Sequence, residues 1–168
     1  MNKTPENWEI PTFKTIFSAE KRKPYALVIP VINEGERISN LLKRMKKIGV
    51  ENLVDIVIID GGSTDGSLEK EKLQSFGVNT LLLKTAPGRL SAQLRCAYAF
   101  CLLREYIGVI TIDGNNKDDP EAIHRFINKL DEGYDFVQAS RFLPGGKAIN
   151  TPLSRNLAIR FIHAPLLS

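Results

Sequence analysis

The sequence predicts an α/β fold, a mostly parallel sheet with helices on both faces. Apolar runs of strand length alternate along the chain with stretches of helical periodicity, and strands separated by helices pair in parallel and are covered on both sides. The residues that follow each run are polar or glycine, as they are where an open sheet binds a ligand at the carboxyl ends of its strands.

Residues 1–23 hold Trp8, Pro11, Phe13, Phe17 and the charged stretch Glu20 to Lys23, with neither period sustained. They read as an extension that packs on the domain formed by residues 24–168. Tyr25 to Ile32 is an apolar run of strand length, after which Ile38, Leu41, Leu42, Met45 and Ile48 recur at helical spacing. Leu53 to Ile59 predicts a second strand, Ser67 to Phe76 a helix, and Asn79 to Leu83 a shorter strand. Gly88 opens a helix reaching Arg104, and Ile107 to Ile112 is the next strand. Asp119 and Pro120 are cap and first-turn residues for a helix whose apolar face is Ala122, Ile123, Phe126, Ile127 and Leu130. Phe136 to Ala139 predicts a last short strand, and from Pro152 a basic amphipathic helix carries Leu153, Leu157, Phe161 and Ile162.

Composition narrows the class. A chain of 168 residues with 43% hydrophobic and 25% charged residues fits one soluble globular domain. Lys and Arg number 23 against 19 Asp and Glu, a formal +4 that suits an anionic ligand such as a phosphate and equally serves solubility; no nucleic-acid partner is expected. Cys96 and Cys101 lie in an apolar stretch without metal-ligand spacing, and read as buried thiols in a reducing cytoplasm. His124 and His163 have no partner at ligand spacing and read as structural. No apolar run approaches the roughly 18 residues that span a bilayer, so the chain reads as soluble or peripheral.

The strand ends carry the candidate chemistry. Asp113 and Asn115, one residue apart after a strand, put two oxygen-bearing side chains within reach of one hard cation, Mg²⁺ or Mn²⁺, with a substrate diphosphate completing its shell. The same residues also suit a polar turn before a helix capped by Asp119. Asp60 ends a β-branched run and precedes two glycines, so its carboxylate is open to a closely approaching base or ribose, or else to a tight turn with Thr64 or Asp65 capping the next helix. Asn33 and Glu34 fit ligand binding or a helix start. Arg141 and Arg155 are candidate phosphate contacts, and Gly88 and Arg89 open a helix whose N–H groups suit a diphosphate.

In order along the chain, Pro30, Asn33 and Glu34, then Asp60, Gly62, Ser63 and Asp65, then Asp113-Gly114-Asn115, and finally Ser140-Arg141 with Arg155, resemble the motifs of the family 2 glycosyltransferases. The likeness is to the Rossmann-like GT-A fold, particularly the dolichol- and polyprenyl-phosphate sugar transferases, and covers nearly all of the chain from Tyr25. Three departures stand out. Gly61 replaces the second aspartate of the family's Asp-Asp-Gly-Ser motif, Asn115 the second aspartate of its metal motif, and Lys117 the glutamine that often follows. Relatives continue with a further acceptor-side segment, and many with transmembrane helices, so the chain is expected to be shorter than the complete enzyme.

The resemblance implies transfer of a sugar from a UDP- or GDP-sugar to an acceptor, a polyprenyl phosphate at the membrane surface, with inversion. Asp113, Asn115 and Arg141 are then the catalytic candidates, with Asp113 and Asn115 holding the Mg²⁺ or Mn²⁺. Pro30, Asn33, Glu34, Asp60, Ser63, Asp65, Gly88, Arg89, Lys117 and Arg155 are the candidates for binding the nucleotide-sugar and phosphates. Two other readings stay open: a nucleotidyltransferase that makes a nucleotide-sugar, and a non-catalytic nucleotide-binding module. Neither the donor base and sugar nor the oligomeric state is fixed by the sequence.

Overall fold

The computed structural model describes residues 8–140. Its sheet has five strands: β1 (Phe13–Ser18), β2 (Tyr25–Val31), β3 (Asp55–Asp60), β4 (Val78–Lys84) and β5 (Gly108–Thr111), in the order β1-β4-β3-β2-β5. β4, β3, β2 and β5 run parallel, and β1 is antiparallel to β4. The connections are helical: α1 (Glu36–Lys47), α2 (Lys70–Ser75), α3 (Leu90–Leu103) and α4 (Ala122–Asp131), with a 3₁₀ turn at Val50–Asn52.

Alternation along the strands sorts the core into two layers. Leu27, Ile29, Ile56, Ile58 and Ile110 face Ile38, Leu41, Leu42 and Met45 of α1, Leu73 of α2 and Ile123 of α4. Their sequence neighbours Ala26, Val28, Val57 and Ile59 face Cys96, Ala97 and Cys101 of α3. Every residue of β2 is buried, which explains why Tyr25 to Val31 reads as a continuous apolar run rather than an alternating one. Burial pushes the Cys101 thiol up to about 12, so it is a packing residue and not a nucleophile.

Three elements differ from the sequence expectation. Residues 13–18, inside the segment read as an extension, form the edge strand β1; a bulge between Thr15 and Phe17 interrupts the alternation a strand pattern requires. The helix expected from Ser67 begins only at Lys70, because Asp65 Oδ1 accepts the backbone N–H (3.1 Å) and hydroxyl (2.7 Å) of Ser67 and holds a turn there. Phe136 to Ala139, read as a strand, takes neither helix nor strand: its apolar residues suit a strand, but a strand forms only where a neighbour pairs with it, and residues 136–139 join no ladder. The basic helix expected from Pro152 lies outside the described residues.

One buried carboxylate fastens the amino-terminal edge of the sheet. Asp55, fully buried at the start of β3, accepts through Oδ2 the backbone N–H groups of Arg22 (2.8 Å) and Lys23 (3.1 Å) and the hydroxyl of Tyr106 (3.0 Å). Arg22 Nε stands 3.7 Å from Oδ1. The carboxylate thus joins the entries to β2 and β3 to the end of the α3–β5 loop. Asp55→Ala leaves these donors without an acceptor and should lower the unfolding free energy by about 3 kcal/mol in urea denaturation, with Asp55→Asn, which keeps one acceptor, losing less.

Candidate functional site

The chain runs from β2 to β3 to β4 on one side, then returns across β2 to β5 on the other. The order therefore reverses beside β2, and a crevice opens at that reversal, outside the carboxyl ends of β2 and β5. A cavity of about 430 Å³ lies there. Its walls bring together six of the residues singled out in the sequence: Pro30 near the end of β2 and Glu34 after it, Gly88 and Arg89 before α3, and Asp113 and Asn115 after β5. Gly114 is fixed by sterics, since a Cβ there would stand 3.1 Å from the Pro30 carbonyl oxygen and from Val31 Cγ2.

The other five residues of the first two motifs, Asn33, Asp60, Gly62, Ser63 and Asp65, do not line the cavity and instead hold together the loops after β2 and β3. Asp60 Oδ1 accepts the N–H groups of Gly62 (3.0 Å) and Ser63 (2.8 Å) and the Ser63 hydroxyl (2.7 Å), folding the loop after β3 back on itself. The Ser63 Oγ accepts from Asn33 N at 3.0 Å, and Asn33 Oδ1 accepts from Thr64 N at 2.8 Å. Asp65 Oδ2 accepts from Gly35 N at 2.7 Å. The two loops are thus clasped by reciprocal side-chain-to-backbone bonds, and Asn33 serves this clasp instead of capping α1. Glu34 Oε2 is buried 2.8 Å from Arg37 Nε on the first turn of α1.

At the β5 end, Asn115 Nδ2 lies 3.4 Å from Asp113 Oδ2, while its Oδ1 accepts from Lys117 N at 3.0 Å. Asp118 Oδ2 accepts from Asp113 N at 3.2 Å, so a second carboxylate fixes the backbone that carries the first. Arg44 of α1 holds this loop through Asn116 Oδ1 at 2.7 Å, and Asp119 Oδ1 accepts from Glu121 N at the start of α4. Among the described residues no three His, Cys, Asp or Glu side chains group as metal ligands. The first N–H groups of an α-helix lack intrahelical partners, and Gly88, Arg89 and Leu90 set those of α3 on the crevice wall. Arg141 and Arg155 lie outside the described residues.

Two polar wall residues were not singled out from the sequence. Lys84 ends β4, and Gln93 lies on the inner side of α3. The signal for Gln93 was present: it stands three residues before Cys96 on the apolar side of a helix, where an amide demands partners. Its Nε2 donates to the carbonyl oxygens of Val31 (2.9 Å) and Ile59 (3.0 Å), pinning β2 and β3 together at their carboxyl ends.

The model of the family described as Glycosyl transferase family 2 matches residues 26–165. The chain belongs to that family. This family 2 chain is 31% identical over 141 residues to the uncharacterized protein MJ1222 of Methanocaldococcus jannaschii, a similarity covering 81% of this chain and 55% of that protein. It thus spans about half the length of that curated relative. Among solved structures it is similar to glucosyl-3-phosphoglycerate synthase from Mycobacterium tuberculosis, in complex with Mn²⁺, UDP and glucosyl-3-phosphoglycerate. That similarity has a TM-score of 0.45 and 19% identity, over 63% of this chain and 39% of the other. No helix among the described residues of the family 2 chain is long and apolar enough to cross a membrane.

The clasp has a pH dependence of definite sign. The Ser67 hydroxyl, then the Ser67 and Gly35 N–H groups, hold the Asp65 carboxyl below its ordinary 3.8. A lowered carboxylate contributes its stabilisation above the ordinary value and loses it as pH falls through the folded one. The protection factor of the Gly35 amide, its exchange rate relative to that of an unstructured amide at the same pH, should therefore stay high near neutrality and fall only as pH drops below the ordinary 3.8, whereas Asp65→Ala should lower it at every pH.

Proposed function

We infer that this chain transfers a sugar from a nucleotide diphosphate-sugar, through a GT-A fold, to an acceptor, with inversion at the anomeric carbon. The observation that carries this reading is the convergence, in a family 2 chain, of the Pro30–Glu34 loop, the α3 N-terminus and the Asp113–Asn115 turn on one crevice at the sheet's reversal point. The nucleoside lies over the clasped loops after β2 and β3, and the diphosphate between the α3 N-terminus and Asp113.

The residues present fit a hard divalent cation, Mg²⁺ or Mn²⁺, of the kind held by one or two carboxylates with substrate phosphates and water. Asp113 would hold it, assisted by Asn115 and with Asp118 adjacent. Asn115 is the weaker donor, since its carbonyl oxygen already accepts from Lys117 N. When bound, the cation supplies positive charge to the diphosphate leaving group. The chain's own groups orient that diphosphate. Arg89 and the N–H groups opening α3 face its oxygens as negative charge grows there. The bond from the anomeric carbon to the diphosphate oxygen breaks, its electron pair leaving with the diphosphate, as an acceptor oxygen bonds to the opposite face.

A phosphate monoester, with a second pKa of about 6, is already ionised near neutrality and needs no general base. Among the described residues the carboxylates lining the crevice are Glu34, tied to Arg37, and Asp113, and Asp118 behind them is engaged by the Asp113 N–H. This favours a phosphate acceptor such as a polyprenyl phosphate over a sugar hydroxyl, and the motif resemblance supplies Arg141 and Arg155 as candidate phosphate contacts. The commitment of Asn115 to its own turn favours one alternative, a nucleotide-binding module without transfer.

Thermal unfolding with UDP and GDP, each with and without Mn²⁺, tests the reading: a ligand at a hundred times its Kd stabilises by about 2.7 kcal/mol. The expected outcome is a Mn²⁺-dependent shift that Asp113→Ala abolishes, with sugar release from the donor separating transferase from binding module. No shift with any nucleotide overturns it. Lys117→Ala should weaken nucleotide affinity several-fold, because it removes a cation from the diphosphate end; unchanged affinity would dismiss that role.

A further inference from the structure

The crevice has two ends of opposite character. Asp113 and Asn115 follow β5, and Lys84 ends β4, three strand spacings away across the sheet order, roughly 14 Å at 4.7–4.9 Å per spacing. With the diphosphate at Asp113, as the nucleotide-sugar reading has it, the nucleoside extends toward β3 and β4. Gly61, Gln93 and Lys84 form the wall there.

These three are locally interlocked. Leu83 is the register partner of Asp60, so Lys84 stands beside Gly61 on the neighbouring strand. A Cβ at residue 61 would lie 3.0 Å from Gln93 Nε2, 3.1 Å from Cδ and 3.3 Å from Oε1, so the Gln93 amide fills the space a side chain would occupy. The orientation of that amide is dictated by chemistry: the carbonyl oxygens of Val31 and Ile59 only accept, so the nitrogen must face them. Both of its protons are spent on those bonds, and Oε1 is left as a fixed acceptor.

Lys84 is a donor under similar constraint. It is 8% exposed, and its Nζ donates to the Ala86 carbonyl at 2.6 Å, which uses one of three protons. Among the described residues no Asp or Glu oxygen lies within 4.0 Å of it, the limit within which five other ion pairs form. Burying an ammonium without a counter-charge is costly, and remaining protons beside a crevice offset that cost when a ligand oxygen accepts them.

We propose that Gln93 Oε1 and Lys84 Nζ, flanking Gly61, read the edge of the donor's base and select bases that present an N–H beside a C=O, namely uracil, thymine or guanine, over cytosine and adenine. The base N–H donates to Oε1 and its carbonyl oxygen accepts from Nζ. Cytosine and adenine present the reverse, an acceptor nitrogen toward Oε1 and an amino group toward the ammonium. A site built of fixed polar partners rejects such a mismatch because both are left unpaired. Gln93 and Lys84 therefore act here as specificity residues, and Gly61 as the absence that admits the amide.

The test is calorimetric titration of the whole chain, with Mn²⁺, using UDP against CDP and GDP against ADP, which differ at this edge. In the unaltered chain the keto member of at least one pair should bind about tenfold tighter or more. Lys84→Met, which keeps the buried stem, should bring that ratio close to one, and Lys84→Arg should retain it. A merely structural lysine would lower both members together and leave the ratio intact, and that result overturns the proposal. Equal binding within both pairs in the unaltered chain also overturns it while leaving the nucleotide site standing. Failure of all four nucleotides to bind overturns the nucleotide-sugar reading and this inference with it.

Discussion

Everything in this molecule depends on β2 being paired in parallel on both sides. A strand hydrogen-bonded to β3 along one edge and to β5 along the other, and covered on both faces, has no exposed surface except its two ends. Parallel pairing then requires that the three strands finish at the same edge of the sheet. Residues more than eighty apart in sequence, Pro30 and Asp113, are brought to one crevice by this requirement and not by any contact of their own. The apolar monotony of residues 25–31 is therefore the condition for the polar variety that follows them.

The two edges of the sheet are specialised differently. At the amino-terminal edge a fully buried carboxylate, Asp55, gathers backbone donors and a tyrosine hydroxyl. At the carboxyl-terminal edge polar groups are arranged in tiers, with Asp60, Asn33, Ser63 and Asp65 spent on holding the loops, and Glu34, Asp113, Lys84 and Gln93 at the cavity they support. Hydrogen bonds that end on backbone donors fix a loop more firmly than bonds between two flexible side chains, because one partner is already rigid. The clasp between the first two motifs is of that kind.

Much of this was legible in the sequence, for identifiable reasons. The helical spacing of Ile38, Leu41, Leu42 and Met45 and the β-branched run Ile56 to Ile59 are repetitive signals that local physics enforces. The motif residues were legible as polar groups leaving strands, but their division of labour was not: whether Asn33 caps a helix or bonds Thr64 depends on the loop after β3, thirty residues away. Gln93 and Lys84 were passed over because each is a single polar residue at the margin of an apolar element, and only the sheet order sets them beside Gly61. β1 was missed because a bulge breaks its alternation and its antiparallel pairing is with β4, a strand far along the chain.

That first strand carries a practical meaning. The family similarity begins at residue 26, yet the sheet begins at Phe13, and without β1 the ladder groups of β4 would face solvent as an open template for another chain. β1 ends the sheet with a bulge and Lys14 instead of a flat, regular rim. Trimming this protein to residues 26–165, the portion the family model matches, would remove the selvedge of the sheet and leave β4 as a raw edge, and any association of the trimmed chain would report that edge and not the rest of the fold.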